Sequence, residues 1–174
     1  MKKLLLLLLL AIFAGSNGIS QSCLPLGIQF HNQSDIDNFK TNYPGCTEVE
    51  GDVLIEEYGL ITNLDGLATI LSIGGDLRIK WNYYLNDLTG LANLTFVGGN
   101  LEICYNHSLE TMDGLESLTE VGGNLLINSN SSLVDLGGLR SLKKMKGNLE
   151  IKLNDVLTVL SGIDNIAPGT IKNL

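Results

Sequence analysis

The sequence predicts a repeat solenoid, mainly β and parallel β-helix-like, with coils of 24 residues and a short helical cap at its N-terminal end. Three observations carry that prediction. Gly51, Gly75, Gly99, Gly123 and Gly147 recur every 24 residues without an insertion, and a fixed period of this kind is the mark of stacked coils. Each glycine opens the same phrase: GDVLI, GDLRI, GNLEI, GNLLI and GNLEI. Its apolar positions alternate, as in a strand with one face inward. Finally, Asn82, Asn106, Asn130 and Asn154 form a column at the same period. Inward asparagines at a coil corner can bond the bare backbone of the turn and of neighbouring coils.

Taken in order, residues 1–20 read MKKLLLLLLLAIFAGSNGIS: two lysines, an apolar run, then small residues. That is the pattern of a secretory signal peptide, with cleavage expected near Ser20, and no later stretch has the length and hydropathy of a membrane span. Residues 21–48 lie outside the repeat and are expected to cap it. Ser34 is the expected helix N-cap, with Asp37 three residues on, and the helix stops near Tyr43-Pro44-Gly45. In an oxidising compartment Cys23 and Cys46 are expected to pair and staple this segment, which leaves Cys104 over.

Residues 49–174 then follow G-[DN]-L-x-I-x-x-N-x-x-L-x-x-L-x-G-L-x-x-L-x-x-V through about five coils. The first has Tyr58 where the others have asparagine. Double glycines at 74–75, 98–99 and 122–123 supply a tight bend before the strand. A sixth coil is cut short after APGTIKNL, so the last coil is expected to be incomplete and open.

This pattern resembles the receptor L-domain repeat of insulin- and growth-factor-receptor ectodomains, in its secreted bacterial form. The resemblance spans about residues 45–170. It implies a right-handed solenoid with one principal parallel sheet. The form is close to ordinary leucine-rich repeats, but Leu85, Leu109, Leu133 and Leu157 follow the asparagine by three residues rather than two. No receptor binding residues transfer, because no surface motif of that family aligns here.

The whole chain carries a net charge of −8. Without Lys2 and Lys3, 9 basic residues face 19 acidic ones, a net charge of −10. That argues against nucleic acid and anionic membrane as partners. Catalysis finds little support. The chain has 2 histidines, His31 and His107, and no metal-type Cys/His spacing, nucleophile elbow or phosphate-binding loop. No cofactor or metal is expected. Asp65, Asp87, Asp113 and Asp135 lie near turns without sharing one column, which reads as turn chemistry rather than a calcium site. Of the glycosylation sequons at Asn32, Asn93, Asn106 and Asn130, Asn93 is the best placed, since Asn106 and Asn130 belong to the inward column.

The strongest binding signal is aromatic. Of 10 aromatic residues, Tyr58, Trp81, Tyr83, Tyr84 and Tyr105 fall at one corner of coils one to three, joined by His107. Such a row suits sugar rings or a protein partner, although shielding of corner backbone would also account for it. A second candidate surface is the outward strand face: Leu54, Arg78, Glu102, Leu126 and Glu150, beside Glu56, Lys80, Cys104, Asn128 and Lys152. The expected function is therefore that of a secreted, non-enzymatic recognition module that binds glycan or cell-envelope material at the aromatic corner. The alternatives are a protein-interaction or self-assembly module using the sheet face and the open last coil, and a purely structural envelope protein.

Overall fold

In the computed structural model, which describes residues 21–56 and 61–173, the 24-residue period becomes a stack of parallel strands. The signal peptide expected over residues 1–20 lies outside the described residues. Along the chain the strands are β1 (Ser22–Cys23), β2 (Ile28–Phe30), β3 (Glu48–Val49), β4 (Val53–Glu56), β5 (Ser72–Ile73) and β6 (Leu77–Lys80). There follow β7 (Phe96–Val97), β8 (Leu101–Cys104), β9 (Glu120–Val121), β10 (Leu125–Asn128), β11 (Lys144–Met145) and β12 (Leu149–Lys152). Two short helices, α1 (Gln33–Asp37) and α2 (Phe39–Asn42), sit between β2 and β3.

The even-numbered strands form one six-stranded parallel sheet, in the order β12-β10-β8-β6-β4-β2. Its register repeats the sequence period: Val53, Leu77, Leu101, Leu125 and Leu149 stand in line, as do Ile55, Ile79, Ile103, Ile127 and Ile151. The odd-numbered strands, two residues each, form a second six-stranded parallel sheet. The single principal sheet implied by the family resemblance is thus corrected to two. The second is built around Val49, Ile73, Val97, Val121 and Met145, a position that looks in sequence like the isolated end of a turn. Both sheets enclose one core, in which the repeat's leucines and isoleucines are almost wholly buried.

Residues 21–48 are joined to the repeat rather than lying outside it. β1 pairs with β3 and β2 with β4, so this segment is a coil whose far side has been replaced by α1 and α2. Cys23 and Cys46 form the expected disulfide. The helix start is corrected from Ser34 to Asn32, whose side chain accepts from Asp35 N at 3.1 Å. Asp35 Oδ2 reaches back to accept from His31 N at 2.9 Å. The carboxylate thus reaches the residue before the N-cap rather than the N-cap itself, a variant of the capping box set two residues earlier than expected. Gln33 then closes this coil onto the next, accepting from Thr62 N at 2.9 Å and donating to Asn63 O at 3.2 Å.

On the side opposite the strands the coils meet backbone to backbone. A Cβ added at Gly90 would lie 2.0 Å from Leu64 O, and one at Gly138 would lie 1.8 Å from Met112 O. Only glycine fits that approach, which explains the second glycine of the repeat. After the fifth coil, residues 167–173 continue part of the way round. Ala167 N donates to Lys143 O, Lys172 N to Gly147 O and Leu149 N to Asn173 O, each at 2.9 Å.

Candidate functional site

Strands β6, β8, β10 and β12 each end in one sharp turn, and the turn is made by an unusual residue. Trp81, Tyr105, Ser129 and Leu153 have φ of 63°, 60°, 57° and 53°. Non-glycine residues seldom adopt this left-handed region, and bulky ones least of all. The turn throws the side chain outward and the next residue, the repeat asparagine, inward. Asn82, Asn106 and Asn130 are fully buried. Asn106 shows their work. Its Nδ2 donates to Ile79 O at 2.9 Å, and its Oδ1 accepts from Asn82 N at 3.0 Å. Asn130 and Asn154 repeat these bonds. Asn82 Oδ1 finds no donor among the described residues. Tyr58, one period earlier, lies outside them.

A second side-chain ladder escaped the sequence reading, although its signal is the [DN] after each glycine. Asp76 N donates to Asp52 Oδ1 at 2.8 Å, Asn100 N to Asp76 Oδ1 at 2.6 Å, Asn124 N to Asn100 Oδ1 at 2.8 Å and Asn148 N to Asn124 Oδ1 at 2.8 Å. Two of the four turn aspartates act as turn acceptors: Asp87 Oδ1 accepts from Thr89 N at 2.9 Å and Asp135 Oδ1 from Gly137 N at 2.7 Å. In the other two turns Asn63 Oδ1 accepts from Asp65 N at 3.1 Å and Thr111 Oγ1 from Asp113 N at 3.3 Å.

Outside the asparagine column the rings are brought together. Trp81 and Tyr105 stack with centroids 4.0 Å apart and planes 1° from parallel. One position further along, Tyr83 and His107 stack at 5.4 Å and 23°, and His107 Nδ1 lies 3.3 Å from Ser131 Oγ. Tyr84 and His107 are exposed, whereas Trp81, Tyr83 and Tyr105 are half-buried. The rings are therefore piled along the solenoid axis rather than laid side by side, so Trp81 turns one face to Tyr105 instead of to solvent. The pile stops at Tyr105, because the next coil has Ser129 and Ser131 in the two columns. Ser129 Oγ donates to Asn128 Oδ1 at 3.1 Å. One coil on, Leu153 returns the column to an apolar side chain, 67% exposed.

The neighbouring sheet face is charged but internally paired. Arg78 bridges to Asp76, to Asp52 at 3.5 Å and to Glu102 at 3.8 Å, Lys80 pairs with Glu102, and Lys152 pairs with Glu150. Cys104, placed by the sequence on the outward strand face, is corrected: it stands in that register but is buried, with Lys80 and Asn128 flanking it. Burial pushes its pKa up to about 11. Among the described residues no group of three His, Cys, Asp or Glu side chains is placed to hold a metal, and no helix is long and apolar enough to cross a membrane.

No protein-family model matches the sequence, and a search of curated proteins finds no match either.

Proposed function

We propose that this protein is an exported recognition module, related in architecture to the receptor L-domain, which binds carbohydrate at the corner formed by Trp81, Tyr83, Tyr84, Tyr105 and His107. One observation carries the reading. Trp81 and Tyr105 stack in register with centroids 4.0 Å apart, on a left-handed turn that in later coils carries Ser129 and Leu153. The turn itself therefore does not call for aromatic side chains, and a corner that needed only shielding would be served by a leucine.

Rings stacked in register also give a stiff edge at which C–H faces of a sugar and tyrosine hydroxyls can engage together. The proposed activity is binding, without bond making. Trp81→Ala removes half of the pile and is expected to weaken glycan binding at least tenfold while leaving mass and far-UV circular dichroism unchanged. Full retention of binding by that variant would rule the corner out.

Self-assembly has its own supporting observation. Leu160 is 52% exposed, whereas Leu88, Met112 and Leu136 at the same repeat position are fully buried. With Leu153, Val156 and Val159 it leaves an apolar patch on the last coil. If that patch joins copies of the chain, light-scattering mass will rise with concentration, and Leu160→Asp will suppress the rise. A constant monomer mass would remove this reading.

A further inference from the structure

The ring column skips one rung. Reading along the solenoid axis, its residues are Trp81, Tyr105, Ser129 and Leu153, all in the same backbone conformation. The Trp81–Tyr105 spacing of 4.0 Å shows that one rung holds one ring, in keeping with a strand spacing of about 4.8 Å. At the third rung there is no ring. Tyr105 offers a ring face on one side, Leu153 an aliphatic side chain on the other, and the two stand two strand spacings apart, about 9–10 Å. Tyr105 and Leu153 can therefore wall a slot one ring deep.

The back of the slot is polar. Asn128 is 6% exposed, and its Oδ1 accepts from Ser129 Oγ at 3.1 Å, which sets the amide against the empty rung. Its Nδ2 makes no hydrogen bond among the described residues. Those two N–H donors are open to solvent at the mouth of the gap and are therefore available to a ligand that enters it. Ser131 stands in the adjacent column beneath His107. Lys152, the nearest cation in the register, is already paired with Glu150, so the slot carries no free charge of its own.

We infer that the Ser129 rung is the ring-binding subsite, and that its ligand is a neutral pyranose inserted as the missing member of the pile. One C–H face lies on Tyr105, the other meets Leu153, and ring hydroxyls accept from Asn128 Nδ2 and exchange hydrogen bonds with Ser129. The inference rests on the proposal that the corner binds carbohydrate, and it moves the contact from the outer edges of the aromatic residues to a gap beside them.

The decisive variant is Ser129→Trp. The same column already accommodates Trp81 and Tyr105 on the same backbone, so the fold should accept the new ring, which then fills the slot. Wild type, Ser129→Trp, Asn128→Ala and Trp81→Ala are titrated by calorimetry with neutral tetrasaccharides built from glucose, mannose, galactose or N-acetylglucosamine. Wild type is expected to bind at least one, with Ser129→Trp weakening it more than tenfold and Asn128→Ala three- to tenfold. If Trp81→Ala loses binding while Ser129→Trp and Asn128→Ala keep it, the corner binds sugar and the slot does not. If wild type binds none of the four, both the slot and the carbohydrate reading fall. Should Ser129→Trp misfold, Asn128→Ala decides, together with upfield ring-current shifts of the bound sugar protons, which stacking on Tyr105 requires.

Discussion

Trp81, Tyr105, Ser129 and Leu153 share one backbone conformation and carry four unrelated side chains. The fold demands the turn but not the side chain, so the turn by itself does not account for tryptophan and tyrosine there. Cys104, the residue just before Tyr105, shows the opposite case, a side chain whose surroundings decide its chemistry. Its thiol is held protonated by burial, with a pKa raised from an ordinary 9.0 to about 11. The unfolded chain therefore releases this proton at lower pH than the folded one. Between pH 9 and 11 the unfolded state binds fewer protons, and stability must fall as pH rises. Relative to Cys104→Ala, which lacks the thiol, wild type should lose roughly 1–3 kcal/mol across that window, since a tenfold difference in proton affinity is worth about 1.4 kcal/mol. Urea melts of both proteins at pH 8, 9, 10 and 11 measure it. A difference that stays flat would mean that the folded thiol ionises as freely as the unfolded one.

The coil is held by several kinds of stacking, and they were not equally visible in the sequence. The strand and the asparagine column could be read directly, because apolar alternation and an isolated polar residue in an apolar setting each have one sensible geometry. The Asp52–Asn148 ladder could not. Aspartate and asparagine after glycine are ordinary turn residues, and only the parallel register reveals that each accepts from the next coil's N–H. The second sheet was hidden for a related reason: two-residue strands such as Phe96–Val97 have no period of their own. The aromatic corner was legible as a cluster, but its stacking direction and the empty rung at Ser129 were not, since both depend on how successive coils are superposed. The backbone contact at the repeat glycines offers the sharpest test of that superposition. Gly138→Ala would place a Cβ 1.8 Å from Met112 O and 2.3 Å from Met112 C, backbone atoms that cannot swing aside. A loss of at least about 3 kcal/mol is expected. Gly169→Ala meets no atom within 4 Å and should change stability by about 0.5 kcal/mol or less. Equal effects at the two sites in urea melts would refute the close-approach account.

At the scale of the molecule, every strand pair among the described residues is parallel and joins neighbouring coils, so cohesion is a sum of nearest-neighbour interfaces. A unit of that kind can lose an interior member if the register closes again. Removing residues 99–122 joins Gly98 to Gly123 and brings the second coil onto the fourth. Leu77 then faces Leu125, Ile79 faces Ile127, and Asn82 N meets Asn130 Oδ1 in the bond it formerly made with Asn106. Both sheets, both ladders and the glycine contact are restored with other members of the same columns, whereas Tyr105, His107 and Cys104 are lost. The shortened chain should fold with an unchanged shape of circular dichroism spectrum. Its urea m-value should be smaller by about one sixth, the share of residues removed from 21–174, because m follows the surface exposed on unfolding. Removing 99–110 instead deletes half a period, sets Leu125-type positions against turn residues and should leave an unfolded or aggregated product. If the 24-residue deletion unfolded as completely as the 12-residue one, cohesion would have to reside in contacts that span more than one coil, and the nearest-neighbour description would fail.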